Sequence, residues 1–258
     1  MLLGQREVLI LSYEEGTRMN VKILYLYPDF MNLYGDNGNV RILKKRLEDQ
    51  GFEVEITSFT VTDYDLSFEG VDFVFMGSGY ESNRNIVIKH FRHFKDSFIK
   101  AVEDGIPMLF TGNSYDILCT GVTISEFEFM QGLGLFDVTF SEPPKKRYRG
   151  DVILELPDSK ERYVGFVNRA GFPEDTGDLT CNVIKVIGDV PMTKDGVHVN
   201  NLYGFSLIGP MLLKNPSLAD MFVEIICSRK GVQVKPVDYP HSLKSHVKTL
   251  KALLETVI

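Results

Sequence analysis

The 258-residue sequence has no tryptophan and only three cysteines, Cys119, Cys181 and Cys227. This odd, sparse set without a Cys-x-x-Cys pair predicts reduced thiols and a cytoplasmic location. No apolar run approaches the ~20 residues that span a bilayer. Residues 1–18 also lack the charge order and length of a signal peptide. Because the first clear element follows Met19, these 18 residues are expected to be either a natural extension or an upstream misread.

Basic residues are not in excess either. The chain has 28 Lys and Arg against 35 Asp and Glu, a formal charge of −7. This balance argues against a protein that binds nucleic acid through backbone phosphates. The composition, 44% apolar and 24% charged, excludes disordered and collagen-like chains. The length is enough for one large domain with a full core, or one domain with an appended lobe.

Short apolar segments alternate with helical patterns in the first half of the chain. A helix begins near Asp36, Asn37 or Asn39, which can cap it, and ends at Gly51. The longest helix is expected over residues 83–104. The alternation predicts right-handed βαβ units and a parallel sheet. The predicted strands are 21–27, 52–59, 71–76 and 108–111.

From Gly132 onward the pattern changes to strands without long helices. A final core helix is predicted with Asn215 as its cap and Pro216 in its first turn, ending at Gly231. We therefore predict a three-layer α/β domain over residues 19–238, followed by a C-terminal amphipathic helix over 239–258. The strands expected in this half are 135–140, 151–156, 162–168, 182–187, 198–199 and 202–207.

Three loops should meet at the carboxyl edge of the parallel sheet, where ligands bind in open α/β folds. They are residues 28–39, 77–80 and 112–115, and each contains Gly or Asn. The Gly-x-Gly-x-x-Gly dinucleotide signature is absent after the first strand, and the phosphate-binding P-loop signature is absent throughout. No cofactor is expected.

Four motifs in these loops and strands resemble one known family over about residues 20–238. The family is the class I (triad) glutamine amidotransferases of the cobyric-acid-synthase-like branch. Within it the sequence most resembles the glutaminase subunits of lipid II isoglutaminyl synthases. The motifs are Asn-Leu-Tyr-Gly-Asp with Gly-Asn at 32–39, Gly-Ser-Gly-Tyr at 77–80, Glu-Asp-Gly-Ile-Pro at 103–107, and Leu-Tyr-Gly with Gly-Pro at 202–210.

The resemblance implies a flavodoxin-like fold and a glutaminase. In the family a cysteine on a strained elbow after the fourth strand attacks the glutamine side-chain amide, and a later histidine is the general base. The oxyanion hole would be formed by the loop of Gly77, Ser78 and Gly79 together with Asn113. Ammonia then passes to a Mur-ligase-like, ATP-dependent partner that amidates a cell-wall precursor.

This sequence departs from the family pattern at both essential positions. Gly112 stands where the nucleophile is expected, and Ile208 stands where the histidine is expected. Loss of a triad nucleophile costs on the order of 10⁶ in kcat. The sequence therefore predicts a pseudoenzyme that acts as a binding or scaffolding subunit. Two alternatives are an active glutaminase subunit that uses unrecognised residues, for which changes at Ser114 and Cys119 are the test, and a small-molecule sensor that uses the old glutamine cleft.

The resemblance also suggests ligand contacts. Arg147 matches the arginine that holds the glutamine α-carboxylate, a role that suits a bidentate guanidinium, and Tyr115 lies on the same elbow. Asn-Arg-Ala-Gly at 168–171 replaces the family's Asn-His-Gly-Gly and is expected to shape the pocket.

The remaining candidates have simpler explanations. Ser114 is expected to cap a helix, and Cys119 to be a packed thiol on that helix. Asp36 is expected to cap the first helix. His90 and His93 are expected on an exposed helix face, since no third ligand for a metal is evident.

Overall fold

The computed structural model describes residues 19–143, 146–174 and 177–257. The extension expected over residues 1–18 lies outside them. The strands are β1 (Asn20–Leu26), β2 (Glu53–Phe59), β3 (Phe73–Met76), β4 (Met108–Thr111), β5 (Cys119–Ser125), β6 (Glu128–Gln131), β7 (Phe136–Ser141), β8 (Tyr148–Glu155), β9 (Arg162–Arg169), β10 (Phe172–Pro173), β11 (Cys181–Gly188), β12 (Lys194–Asp195), β13 (Val197–Val199) and β14 (Leu202–Phe205). The helices are α1 (Asn37–Gln50), α2 (Glu81–Phe91), α3 (Lys95–Glu103), α4 (Met211–Lys214), α5 (Pro216–Arg229) and α6 (Pro240–Glu255), with 3₁₀ turns at Arg92–Phe94 and Gly112–Leu118.

A six-stranded, mostly parallel sheet forms the centre of the molecule. Its strand order is β13-β14-β4-β3-β1-β2, and only the β13–β14 pairing is antiparallel. Strands β3 and β4 are buried along their whole length and apolar except at Thr111, as expected of parallel strands covered on both faces. The predicted α/β class with a mostly parallel central sheet is confirmed.

Helices cover both faces of this sheet, which makes three layers. Successive strand residues point to opposite faces, so Ile23 packs with α1 and α5 while Leu24 packs with α2 and α3. Gly51 ends α1 with φ of 99°, as predicted. The helix predicted over 83–104 is interrupted, because the 3₁₀ turn at Arg92–Phe94 separates α2 from α3.

The second half of the chain adds two four-stranded sheets, with strand orders β10-β7-β5-β6 and β12-β11-β8-β9. They begin earlier than the sequence pattern indicated. Cys119 is the first residue of β5, so the helix expected to carry it is absent. The alternation of Val122 and Ile124 with Thr123 is typical of a strand, and tertiary packing follows that local preference.

The final helices also differ from prediction in one respect. Pro216 begins α5 as expected, but the Asn215 side chain does not cap the helix. Its Oδ1 accepts from the Val164 amide at 2.7 Å and its Nδ2 donates to the Val164 carbonyl at 3.0 Å, which ties α5 to β9. Helix α6 contacts α4, α5, β8, β9 and β11 without fully burying any residue. Within the described ranges, no helix is long and apolar enough to cross a membrane.

Candidate functional site

The three loops that follow β1, β3 and β4 meet at the carboxyl edge of the central sheet, as predicted. The Leu33 amide donates to the Ser78 carbonyl at 2.9 Å, which joins the first loop to the second. The Asn113 side chain joins the second loop to the third through Gly79. The edge is therefore one hydrogen-bonded unit.

Asp36 lies at the centre of this unit and is fully buried. Its Oδ2 accepts from the Ser78 hydroxyl at 3.0 Å and from the Tyr34 amide at 3.2 Å, while Thr111 Oγ1 lies 3.4 Å from Oδ1. Burial raises the pKa of Asp36, although these hydrogen bonds and one from the Ser78 amide oppose the shift. The carboxylate does not cap α1, so the predicted capping role is wrong.

Gly112 begins the 3₁₀ turn after β4 and has φ of +65°, a conformation that favours glycine. A Cβ at this position would lie 2.4 Å from Ser78 Cβ and 2.7 Å from Ile208 Cγ2. The space that a nucleophile's side chain would need is therefore occupied. The structure also brings together Gly112 and Ile208, the two positions where the family resemblance expects nucleophile and base.

Ile208 is held in place by its backbone. Its amide donates to the Phe166 carbonyl on β9 at 2.8 Å, and its side chain is buried. It therefore presents an apolar wall to the elbow and carries no group that could move a proton.

One amide of the glycine loop, that of Gly79, already has a partner. The Gly79 amide donates to Asn113 Oδ1 at 3.0 Å, and Asn113 Nδ2 donates back to the Gly79 carbonyl at 2.8 Å. The Ser78 amide lies close enough to the Asp36 carboxylate to lower its pKa. An oxyanion hole needs donors that are free to face the developing charge, and the Gly79 amide is engaged within the protein.

Ser114 and Cys119, the two residues considered as possible substitutes for the nucleophile, are fully buried. The Ser114 hydroxyl donates to the carbonyls of Thr111 and Met76, so its predicted role as a helix cap is wrong. The Cys119 thiol faces the Tyr115 carbonyl at 3.4 Å, and burial raises its pKa well above the usual value. All cysteines and histidines lie in the described ranges, and no hydrogen bond there joins one to the other.

His90 and His93, which are three residues apart, occupy different environments. His93 is exposed, as expected, but His90 is half-buried, with Nδ1 2.8 Å from the Tyr27 hydroxyl and rings of Phe59 and Phe94 around it. His90 is thus a packed residue, contrary to the prediction. Across the part of the chain that the structure describes, no group of three or more His, Cys, Asp or Glu side chains could hold a metal ion.

A buried ionic cluster lies beneath the elbow. Asp116 on the 3₁₀ turn receives Arg84 from α2 at 3.0 Å and Arg169 from β9 at 2.7 Å, and all three side chains are buried. Arg84 also pairs with Glu142 at 2.5 Å. Burial lowers the pKa of Arg169, but Asp116 outweighs this effect and raises it, so the guanidinium stays charged.

Sequence reasoning missed this cluster because its members are far apart in the chain. The sequence signal for this cluster was Arg169, which lies in the segment 168–171 that differs from the family's Asn-His-Gly-Gly. Its guanidinium also donates to the Ser206 hydroxyl at 2.9 Å and lies 4.5 Å from the centre of the Phe140 ring. The pocket-shaping role of the segment stays a prediction, and the structure shows there a buried cation, Arg169, that is paired with Asp116.

The sequence of this chain is similar to that of known proteins. The family model of the CobB/CobQ-like glutamine amidotransferase domain matches residues 22–215, three quarters of the chain. The chain belongs to this family. It is 29% identical over 227 residues to the GatD subunit of the glutamine-hydrolysing lipid II isoglutaminyl synthase of Staphylococcus aureus, covering 88% of this chain and 92% of the relative. The corresponding Streptococcus pneumoniae subunit is 27% identical over 225 residues, covering 85% and 86%.

A solved structure supports the fold alone. The structure of PurLQS from Thermotoga maritima matches with a TM-score of 0.52 at 13% identity, over 91% of this chain and all of the matched chain. The identity is too low to carry functional residues across.

Two residues of this amidotransferase-like chain were predicted to touch a ligand. Tyr115 is fully buried, and its hydroxyl donates to Asp195 at 3.1 Å, so its predicted ligand contact stays a prediction. Burial raises the pKa of that Asp195 carboxyl. Tyr115 also packs edge-on against Phe140.

Arg147 remains at the surface of the family fold, with 40% of its side chain exposed. Its Nε donates to Asn168 Oδ1 at 2.6 Å, and another guanidinium nitrogen pairs with Glu81 at 2.9 Å. Burial lowers the Arg147 pKa, but its bonds to Tyr34 and Glu81 raise it overall. The neighbouring Lys145 lies outside the described residues.

Proposed function

We propose that this protein is a non-hydrolysing member of the CobB/CobQ-like glutamine amidotransferase family. It would serve as a binding or scaffolding subunit for a Mur-ligase-like, ATP-dependent partner that amidates a cell-wall precursor. The curated relatives are named as subunits of lipid II isoglutaminyl synthase, which supports a role as a subunit that works beside a partner.

The observation that carries the proposal is the packing around Gly112. The residue keeps the left-handed elbow conformation, but Ser78 and Ile208 fill the space that a reactive side chain would occupy. A glycine cannot attack a carbonyl, and an isoleucine cannot accept the proton that such an attack releases.

The alternative, an active glutaminase with a substitute nucleophile, has weaker support. Ser114 donates its hydroxyl proton to backbone carbonyls, which are not bases, and Cys119 lies in a site that disfavours the thiolate. Neither has a histidine partner among the described residues.

Ammonia release from glutamine tests the proposal. The protein would be assayed with its co-purified Mur-ligase-like partner, with a glutamine-hydrolysing relative as the positive control. We expect release at the background rate. Release that is lost on changing Ser114 or Cys119 to alanine would instead establish an active enzyme.

A restored site gives a second, positive test. Gly112→Cys alone should stay inactive because Ser78 Cβ would lie 2.4 Å from the new Cβ. The triple variant Ser78→Gly, Gly112→Cys, Ile208→His removes the tighter of the two contacts, that with Ser78 Cβ, and supplies a thiol and an imidazole. We expect measurable glutaminase activity from the triple variant only, whereas activity in the unchanged chain would contradict the proposal.

A sensor that uses the outer part of the cleft is the second candidate, since Arg147 and Asn168 remain partly exposed there. Calorimetry with glutamine would compare the chain with Arg147→Ala. Binding lost in the variant would support this role, and absence of binding in both would end it.

A further inference from the structure

A cavity of about 290 Å³ lies between the β8–β9 pair and helices α4 and α6. Asp151 contributes to it from β8, and Lys214 from the last position of α4. Part of the wall is apolar, formed by Val164 and Leu213. The volume suits a small molecule of few atoms.

The two charged side chains that line this cavity have no direct partners. Among the described residues, neither the Lys214 ammonium nor the Asp151 carboxylate makes an ion pair within 4.0 Å or a side-chain hydrogen bond. Burial lowers the pKa of Lys214, while the charge of Asp151 raises it, so the two groups act on each other across a distance. Both side chains are only half-buried, and the two opposite charges lie apart around one space, so a ligand that carries both charges can meet each of them.

Helix α6 adds polar groups to the same cavity. Ser245 and Thr249 are four residues apart and share one helix face. His246 Nδ1 lies 2.8 Å from the Lys214 carbonyl oxygen, which can only accept, so Nδ1 carries the hydrogen and Nε2 remains available.

We propose that this cavity binds a compact zwitterion of the α-amino-acid type. The carboxylate of the ligand would lie against Lys214, Ser245 and Thr249, its ammonium against Asp151, and a small apolar side chain against Val164 and Leu213. The ligand would complete the separated ion pair, and each charge-assisted hydrogen bond would favour binding.

The site adjoins the elbow through one short segment. Lys214 Nζ lies 3.2 Å from where a Cβ of Gly209 would stand, and Gly209 follows Ile208 in the chain. The proposal does not depend on whether the protein hydrolyses glutamine.

Calorimetric titration of the full chain with L-valine tests the site, with butyrate and butylamine as probes that carry only one of the two charges. We expect L-valine to bind more tightly than either single-charge probe. Lys214→Met and Asp151→Asn should each weaken binding by about tenfold or more, the effect of one charged hydrogen bond. The exposed Lys248→Met on α6 is the matched control and should bind as the unchanged chain does.

Two further measurements keep the test decisive. Amide chemical shifts of Gly165 and Thr249 should move on titration, and thermal unfolding should show that each variant is folded. Arg147→Ala should leave L-valine binding unchanged, which separates this cavity from the old glutamine cleft. No binding of L-valine, equal binding of butyrate, or loss of binding in Arg147→Ala alone would overturn the proposal.

Discussion

At the scale of single residues, two separate features of the elbow favour glycine at position 112. Its φ of +65° disfavours any side chain, and its surroundings leave no room for one. The sequence alone identified Gly112 as the position of interest through the family motif. Only the structure shows that Ser78 and Ile208 lie where a Cβ of residue 112 would stand, because these residues come from distant loops.

Gly112→Ala should therefore destabilise the fold more than a glycine substitution at an open site with a similar φ. Gly134 is the matched control, with φ of +68° and nothing within 4 Å of a built Cβ. We expect Gly134→Ala to lower the free energy of unfolding by roughly 1–2 kcal/mol and Gly112→Ala by about 1–3 kcal/mol more. Urea denaturation measures both, and equal losses would mean that the elbow can relax around the methyl group.

Thiol reactivity tests the conclusion that Cys119 is a buried thiol and not a nucleophile. Because burial raises the pKa of Cys119, its thiolate is scarcer at pH 8 than that of an ordinary cysteine. We expect iodoacetamide to modify Cys119 far more slowly in the native protein than in denaturant, as read by mass spectrometry of peptides. Rapid native modification of Cys119 would revive its role as a nucleophile.

At the scale of elements, the segment after β4 departs most from expectation. Residues Gly112–Leu118 form a buried 3₁₀ turn, and the chain then enters β5 directly. The change places Asp116 beneath the sheet edge, where Arg84 from α2 and Arg169 from β9 converge on it. The ionic cluster thus holds the turn against a helix and a strand.

Removal of the Asp116 carboxylate, which both arginines share, should strongly lower the stability of the fold. Asp116→Ala leaves two buried guanidinium groups without their common partner, and we expect a loss of about 3–5 kcal/mol in the free energy of unfolding. Glu48→Ala, which removes an exposed helical pair with Lys44, is the control and should cost less than about 0.5 kcal/mol. Denaturant titration compares the two, and a small effect at Asp116 would show that water reaches the cluster.

At the scale of the whole molecule, the three layers form a core that the terminal helix does not share. No residue of α6 is fully buried, and Leu243, Val247 and Leu254 are exposed. Tyr239, just before α6, still contacts α1 through Asp49 and the face of its ring against Arg46. We therefore propose that residues 19–238 form the folding unit and that α6 is an appended element.

A chain that ends after Tyr239 should still unfold cooperatively, with only a modest loss of stability, because α6 buries little apolar surface. Calorimetry of the shortened and full chains would measure the unfolding temperature and the sharpness of the transition. The full chain with Leu250→Ser is the companion variant, since it weakens α6 packing without removing the helix. A broad, non-cooperative transition in the shortened chain would assign α6 to the core.

The sequence by itself determined the α/β class, the order of the main strands and helices and the family, because hydrophobic periodicity and short glycine motifs are local signals. It also singled out Gly112 and Ile208 as the positions where the family pattern expects a nucleophile and a base. The tertiary structure alone decided that these two residues touch, that the Gly79 amide is already bonded, and that Asp116 pairs with two arginines. Each of these facts depends on groups separated by tens of residues in the chain, and no local pattern encodes the distance between them.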